Sequence, residues 1–259
     1  MDEYLEFAKE IADYAGKIMK EYFYSNQKNT TYKSDRTPVT IADEKINQYL
    51  IKKVKEKYPT HSVLGEEASN KQQSKYAWVC DPLDGTASFV RGVPIAVFSL
   101  ALVIDGNPEI GVVYDPFLDN MYTAIMGQGA YCNNKEIHVN NIDYKELGCS
   151  IDCYMWHSAK YDTLEIIRDI RAGAKTFETG SVAHGSMLVA SGKISAVIFP
   201  GSEHANCDLA ASKLIVEEAG GKVTDLFGKN QRFDRDLNGA ILSNGTIHEK
   251  LVSVAKKVL

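Results

Sequence analysis

The sequence predicts an α+β fold of layered sheets and helices, and three features carry that expectation. Residues 3 to 23 place Tyr4, Ala8, Ile11, Ala15, Ile18 and Met19 at helical spacing, with one face to bury. From His61 the pattern changes to short runs rich in β-branched and aromatic residues. After Tyr161 helical and strand-like segments mix again. Strand-rich and helix-rich regions thus segregate only in part, as layered α+β folds require.

The elements follow in order. A polar, Lys- and Asn-rich connection runs from Ser25 to Arg36, after which Thr40 and Asp43 form a T-x-x-D helix-start signal. The helix it opens carries Ile46, Tyr49, Leu50 and Val54 along one side. HSVLGEE, YAWVCD, IAVFSLALVI, EIGVVYD and NMYTAIM read as strands, and Asp105-Gly106 between two of them is a hairpin signal. TLEIIRDIRA, SVAHGSMLVASGK and ISAVIF read as a mixture of helix and strand. A long helix is expected from about Ala205 to Ala219, ended by Gly220-Gly221, with KVTD and GAILSN as strands and a last helix from Ile247 to Val258.

Composition narrows the class without naming a function. Hydrophobic residues make up 44% of the 259 and charged residues 24%, which excludes disordered and fibrous chains. Net charge is −5, with no basic stripe suited to a nucleic-acid backbone. The N-terminus lacks the basic and apolar regions of a signal peptide, and no apolar run reaches membrane-span length. The five cysteines are odd in number and hold no C-x-x-C pair, so a disulfide framework and a zinc ribbon are both disfavoured. A cytoplasmic setting is the natural reading.

Carboxylates cluster where the chain changes direction: Glu66-Glu67, Asp81-Pro82-Leu83-Asp84-Gly85-Thr86, Asp208, and Asp43. Tyr76 to Cys80 reads as a buried strand, so Asp81 should emerge at its end, where Pro82 forces a turn. Asp84 follows three residues on, next to a Gly that lets backbone approach a ligand. Two like charges about 4 Å apart repel by roughly 4 kcal/mol at an effective dielectric near 20. A hard dication offsets that repulsion and prefers oxygen donors. The short segment GTASFVRG, read as a helical turn, offers N–H groups to an anion such as phosphate. Taken singly, each feature has an ordinary explanation. D-x-x-D is commonly a solvated turn, Glu-Glu a surface pair, Asp208 a residue favoured by a helix dipole and Asp43 a capping partner.

Jointly and in this order, the motifs resemble the inositol monophosphatase family of lithium-sensitive, magnesium-dependent phosphatases. They are Gly65-Glu66-Glu67, Asp81 to Thr86, and Asp208-Leu209-Ala210-Ala211 with Glu218-Ala219-Gly220-Gly221. Lys33 to Thr40 with Asp43 resembles the family's N-terminal segment, and Gly180-Ser181-Val182-Ala183 its substrate-side segment. The resemblance implies an α-β-α-β-α sandwich of the sugar phosphatase type, one domain over 1–259 with approximate halves 1–145 and 146–259. It also implies a homodimer and two or three Mg2+ ions. Glu66, Asp81 and the Leu83 carbonyl hold the first ion; Asp81, Asp84 and Asp208 the second. Glu66 and Thr86, the latter oriented by Asp43, activate water for in-line attack on phosphorus. Gly85 and Thr86 hold the phosphate, with Gly180, Ser181 and Val182 beside the substrate. Cys-x5-Arg and D-x-D-x-[TV] motifs of rival phosphatase chemistries are absent. His184 and His204 read as structural.

Substrate-side departures accompany the intact metal motifs. Trp is common before the third-motif Asp, and here the residue is Cys207, read as filling the same packing position rather than as a reactive thiol. Inositol-handling members often carry an acid seven residues before that Asp and an Arg three before the motif Gly. These positions are Gly201, with Glu203 the nearest acid, and Phe177. The expected activity is therefore an inositol-1-monophosphatase-like hydrolase of a small polyol or sugar phosphate. Fructose-1,6-bisphosphatase, with Lys175, Arg171 or Arg91 meeting a second phosphate, is the alternative. Histidinol-phosphate or 3′-phosphoadenosine 5′-phosphate phosphatase follow. A regulatory module with a relic metal site is the non-enzymatic alternative, disfavoured because every motif carboxylate is present.

Overall fold

In the computed structural model, residues 1–25, 30–32, 38–155, 159–202 and 204–259 are described. Most of the Lys33–Thr40 segment, residues 33–37, and Glu203 therefore lie outside the described residues.

The first layer is α1 (Asp2–Phe23) and α2 (Ile41–Lys57); a two-residue ladder, β1 (Thr31–Tyr32) with β2 (Pro38–Val39), lies between them in sequence. Ala8, Ile11, Ala15 and Met19 of the predicted α1 stripe and Ile46, Leu50 and Val54 of α2 are buried; Tyr4 and Ile18 are half-buried, and Phe7, outside the predicted set, is buried beside them. Tyr49 instead stacks on Tyr14 at 3.6 Å between ring centroids. Thr40 caps α2 as predicted, its hydroxyl accepting from Ala42 N while its own N–H donates to Asp43.

The second layer is a seven-stranded sheet in the order β3 (Ser62–Gly65), β4 (Tyr76–Asp84), β5 (Val97–Ile104), β6 (Asn107–Asp115), β7 (Asn120–Ile125), β8 (Ala130–Cys132) and β9 (Lys135–Glu136). Only β3 and β4 run parallel. The short helix α3 (Thr86–Val90) follows β4 directly. The β5–β6 turn has Asp105 at φ 51° and Gly106 at φ 87°, the paired left-handed conformation that an Asp-Gly hairpin supplies.

A five-stranded sheet forms the fourth layer. Its order is β11 (Lys175–Phe177), β10 (Ser150–Cys153), β12 (Ala196–Phe199), β14 (Ala240–Ser243) and β13 (Lys222–Thr224). Between the sheets lie α5 (Val182–Ala190) and α6 (Ala205–Glu218), whose buried residues share one core with Val79, Val97, Ala101 and Val113 on one side and Val197, Phe199 and Leu242 on the other. The outermost layer is α4 (Leu164–Ile170) and α7 (His248–Val258), packed on Ile151, Ile198 and Ile241.

The order is thus α-β-α-β-α, as the resemblance implies. It explains why IAVFSLALVI reads as an apolar run interrupted only by Ser99. Phe98, Leu100 and Leu102 face α1 and α2, whereas Val97, Ala101 and Val103 face the central helices, so both faces of β5 are covered. The Ala-Gly-Gly after α6 ends the helix as predicted, with Gly220 at φ 90° and Gly221 N–H donating to Val216 O. Glu218 just before it accepts from Gly127 N and Gly129 N, both at 2.7 Å, and so staples the β7–β8 turn to α6.

Candidate active site

The site begins where β4 leaves its ladder. Asp81 pairs with Ser99 and Asp84 with Val97, so the register shifts across Pro82-Leu83. The sequence predicts a turn at Pro82; the chain bulges instead, and β4 continues through Asp84. Pro82 has no N–H to place in the ladder, and Leu83 N–H donates to Asp81 Oδ1 at 2.8 Å, so the aspartate itself supplies the missing acceptor. This bulge carries Asp81 and Asp84 at one end of a central strand.

Gly85 follows with φ 97°. A Cβ there would lie 2.6 Å from Ile95 O and 3.0 Å from Ser181 Cβ, so both conformation and space require glycine. Gly180 mirrors it at φ 90°, where a Cβ would meet Ser88 Oγ at 2.9 Å. The start of α3 and the Gly180-Ser181-Val182 segment therefore face each other across the junction of the two sheets. Two bonds tie them: Ser181 Oγ donates to Asp84 Oδ2 at 2.8 Å, and Ala183 N donates to the same oxygen at 2.6 Å. Val182 buries its side chain in the central core.

Asp43 reaches the site from α2. Its Oδ2 accepts from Thr40 N at 2.8 Å and Thr40 Oγ1 at 2.5 Å, while Oδ1 lies 3.3 Å from Thr86 Oγ1. Capping and site contact thus use different oxygens of one carboxyl group. Thr86 has a single hydroxyl proton and a nearer acceptor, Leu83 O, at 2.9 Å.

Glu66 leaves the end of β3, with its N–H donating to Cys80 O at 3.1 Å. Asp208 sits in the first turn of α6. Their charges register on the others: Asp81 is pushed well above the usual carboxylate range by burial first, then by Glu66, Asp208 and Asp84. Burial raises Asp84 to about 7, against the Ala183 and Ser181 hydrogen bonds that lower it. Asp43 also rises to about 7, chiefly through burial. The structure therefore brings Asp43, Glu66, Asp81, Asp84 and Asp208 into one electrostatic cluster, with Asp81 2% exposed and Asp84 9%.

As placed, no three Asp, Glu, His or Cys side chains among the described residues converge closely enough to hold a metal ion. A cation offsets the repulsion between carboxylates that converge on one point. The donor set fits a hard dication by its chemistry: acidic oxygens, two of the aspartates deeply buried, and the Asp81 charge made unfavourable by Glu66, Asp208 and Asp84.

The other predicted features separate from this cluster. Nε2 of His184 lies 3.8 Å from Asp115 Oδ2, and His204 opens α6 at φ 60° with an exposed side chain. The Cys207 thiol is buried, donates to Leu64 O at 3.6 Å and is pushed well up by burial and by Asp208, which keeps it protonated and unreactive. Arg91 donates to Ala87 O in its own helix, and Lys175 and Arg171 are exposed at β11 and after α4. Gly201 has φ 85°, and a Cβ there would meet Gly239 N at 2.9 Å and Lys160 Cβ at 3.3 Å. The missing acid at this position is thus a consequence of packing, since the chain's own backbone fills the space.

Sequence reasoning missed two supporting groups. Buried Asn47 donates to Ala68 O at 3.0 Å and lies against Gly65, holding the loop that bears Glu66. Asp152, with Thr179 and Tyr154, lies behind the Gly180-Ser181 segment. An aspartate amid the apolar run of β10 is the signal that could have found it, because Asp is depleted from strands unless something holds it.

A sequence model of the inositol monophosphatase family matches residues 1–259. Inositol monophosphatase 1 of Sus scrofa is 32% identical over 249 residues, covering 87% of this chain and 84% of the relative. A histidinol-phosphatase of Chlorobaculum parvum is 29% identical, covering 96% and 95%. Among solved structures, the extragenic suppressor protein suhB of Bartonella henselae superposes with a TM-score of 0.90 at 29% identity, covering 99% of both chains.

Proposed function

The chain belongs to the inositol monophosphatase family, and from that premise we propose that it hydrolyses the phosphate monoester of a small polyol or sugar with Mg2+. The carrying observation is the set formed by buried Asp81 and Asp84 with half-buried Glu66 and Asp208 beside the Gly85-Thr86 helix start. Glu66, Asp81 and the Leu83 carbonyl would hold one ion, and Asp81, Asp84 and Asp208 a second, with Glu66 the candidate donor to a third. When bound, such ions lower the pKa of a water and neutralise charge on the phosphate and leaving oxygens.

The chain's own groups supply the rest. Gly85 and Thr86 N–H groups receive phosphate oxygens, and Gly180, Ser181 and Val182 border the alcohol side. Thr86 orients the attacking water, and Glu66 draws its proton. When Leu83 O is engaged elsewhere, the Thr86 proton is left to Asp43 Oδ1, 3.3 Å away. Thr86 Oγ1 then offers its lone pairs to the water.

The filled space at Gly201 favours a second reading, in which the ester is other than inositol phosphate. A relative named as a histidinol-phosphatase is consistent with that reading. A homodimer, lithium inhibition and a cytoplasmic setting complete the proposal. The last is supported by five cysteines, all of them free thiols. Phosphate release from inositol, fructose, histidinol and adenosine phosphates, with Mg2+ and with EDTA, tests the reading. Release must depend on Mg2+; no release from any ester would overturn the enzymatic reading, and the preferred ester decides between the two substrates.

A further inference from the structure

We infer that Asp152 is a positioning residue for Asp84, acting through Thr179 on the Gly180-Ser181 segment. The inference rests on reading Asp84 as a metal ligand. Asp152 lies in β10 and is 0% exposed. Its Oδ1 accepts from Thr179 N at 3.0 Å, and its Oδ2 from Thr179 Oγ1 at 2.6 Å and Tyr154 OH at 3.0 Å. The Tyr154 hydroxyl also lies 2.6 Å from Thr179 Oγ1, and Thr163 donates to Tyr154 O at 2.8 Å. The chain accommodates this carboxylate deliberately. A Cβ at Gly185 would come within 2.2 Å of Asp152 Oδ2, so α5 carries a glycine where the carboxylate packs against it.

A buried carboxylate is costly unless its bonds do something that an apolar side chain cannot. Here they grip Thr179 at both its N–H and its hydroxyl. That grip sets the direction in which the chain enters Gly180, whose φ of 90° turns it into the extended Ser181 that caps α5. The Ser181 hydroxyl accepts from His184 N at 3.2 Å, which leaves its proton aimed at Asp84 Oδ2. The string from Asp152 to Asp84 thus runs from the five-stranded sheet to the seven-stranded one. It holds one Asp84 oxygen in place, that oxygen also accepting from Ala183 N. Three donors converge on two acceptor oxygens, so an amide at position 152 would set its own N–H groups against them.

Thr179→Val keeps the side-chain shape and removes the hydroxyl, whereas Thr179→Ser keeps the hydroxyl. Mg2+ binding to the full chain, measured by calorimetry without substrate, is read beside the metal-free melting temperature. Thr179→Val should weaken Mg2+ binding about tenfold, the lower range for losing a partner behind a metal ligand. It should raise the Mg2+ needed for half-maximal turnover while leaving kcat at saturating Mg2+ largely intact. Thr179→Ser should restore wild-type affinity. If Thr179→Val does not fold, Tyr154→Phe carries the test, with a smaller loss in the same direction. Wild-type Mg2+ affinity in a folded Thr179→Val or Tyr154→Phe protein, whatever its melting temperature, would reduce the network to fold support and overturn the inference alone. A wild-type protein that binds no Mg2+ would overturn the ligand reading of Asp84 and this inference with it.

Discussion

The two sheets treat their polar residues differently. The seven-stranded half, with its helices, delivers Asp43, Glu66, Asp81, Asp84 and Thr86 at the end of β4, all at positions where the family motifs are intact. The five-stranded half delivers Asp208 and the hydroxyl of Ser181, and it is there that the chain departs, at Phe177, Gly201 and Cys207. The difference is one of tolerance. Carboxylates gathered against each other have no neutral substitute, whereas the region around Gly201 is shaped by packing that can be filled in several ways. Gly201 is the plain case, since Gly239 and Lys160 stand where an acidic side chain would need room.

Asp81→Asn should have the largest effect. Turnover should fall by more than the ~100-fold that losing a partner behind a metal ligand costs. The metal-free protein should melt at the same or a higher temperature, because a charge disfavoured by burial and by three neighbouring acids is gone. Retained turnover would break the contrast between the halves.

The pH dependence of metal-free stability sharpens the same contrast. Asp43 and Asp84 titrate near 7 in the folded chain against an ordinary 3.8. Between those values the folded protein holds more protons than the unfolded chain, so their contribution is most favourable below 3.8 and is lost as pH rises to about 7. Melting temperature without metal should therefore decline across that window, at about 2–4 °C per kcal/mol in a chain of this size. Saturating Mg2+ should recover the loss near neutrality. A melting temperature indifferent to Mg2+ at pH 7 would contradict the assignment.

On the other half, Gly201→Glu should destabilise without conferring turnover of inositol phosphate. A non-glycine residue at positive φ costs about 1–3 kcal/mol, before the contact with Gly239 is counted. Thermal melting and the substrate panel check both parts, and a stable variant that gains inositol phosphate activity would show that the position is free. The smallest effect belongs to His248, buried between Ser243 Oγ at 2.8 Å and Thr224 Oγ1 at 3.0 Å and lowered from 6.5 to about 4 by burial. The unfolded chain binds the proton first, so this contribution is complete above 6.5 and lost as pH falls to about 4. His248→Gln should flatten the acid limb of a stability–pH curve; an unchanged slope would mean that another group governs it.

Local signals were legible in the sequence and long-range ones were not. Thr40 with Asp43, Asp105-Gly106 and Gly220-Gly221 each act within a few residues, so their cap, hairpin and helix end could be read directly. The D-P-L-D segment announced carboxylates at a strand end. Whether Pro82 makes a turn or a bulge depends on Val97 and Ser99 of the neighbouring strand, and no window around Pro82 contains them. β10 and β11 are short, and β10 carries an aspartate at its centre, so neither shows a clean alternation. The bond from Ser181 to Asp84 joins residues 97 apart in sequence and exists only once both sheets are in place.

Glu218 gives the motifs a different weight. It belongs to the same signature as Asp208, yet both its oxygens are committed to the Gly127–Gly129 turn, ten residues further along α6. Letters of a family signature are therefore of two kinds, some kept by the architecture and some by the reaction. A descendant that had lost catalysis would keep Glu218, Gly220 and Thr40 for as long as it folded, and would still match the signature. Whether such a relative is alive as an enzyme is told by Asp81 and Asp208.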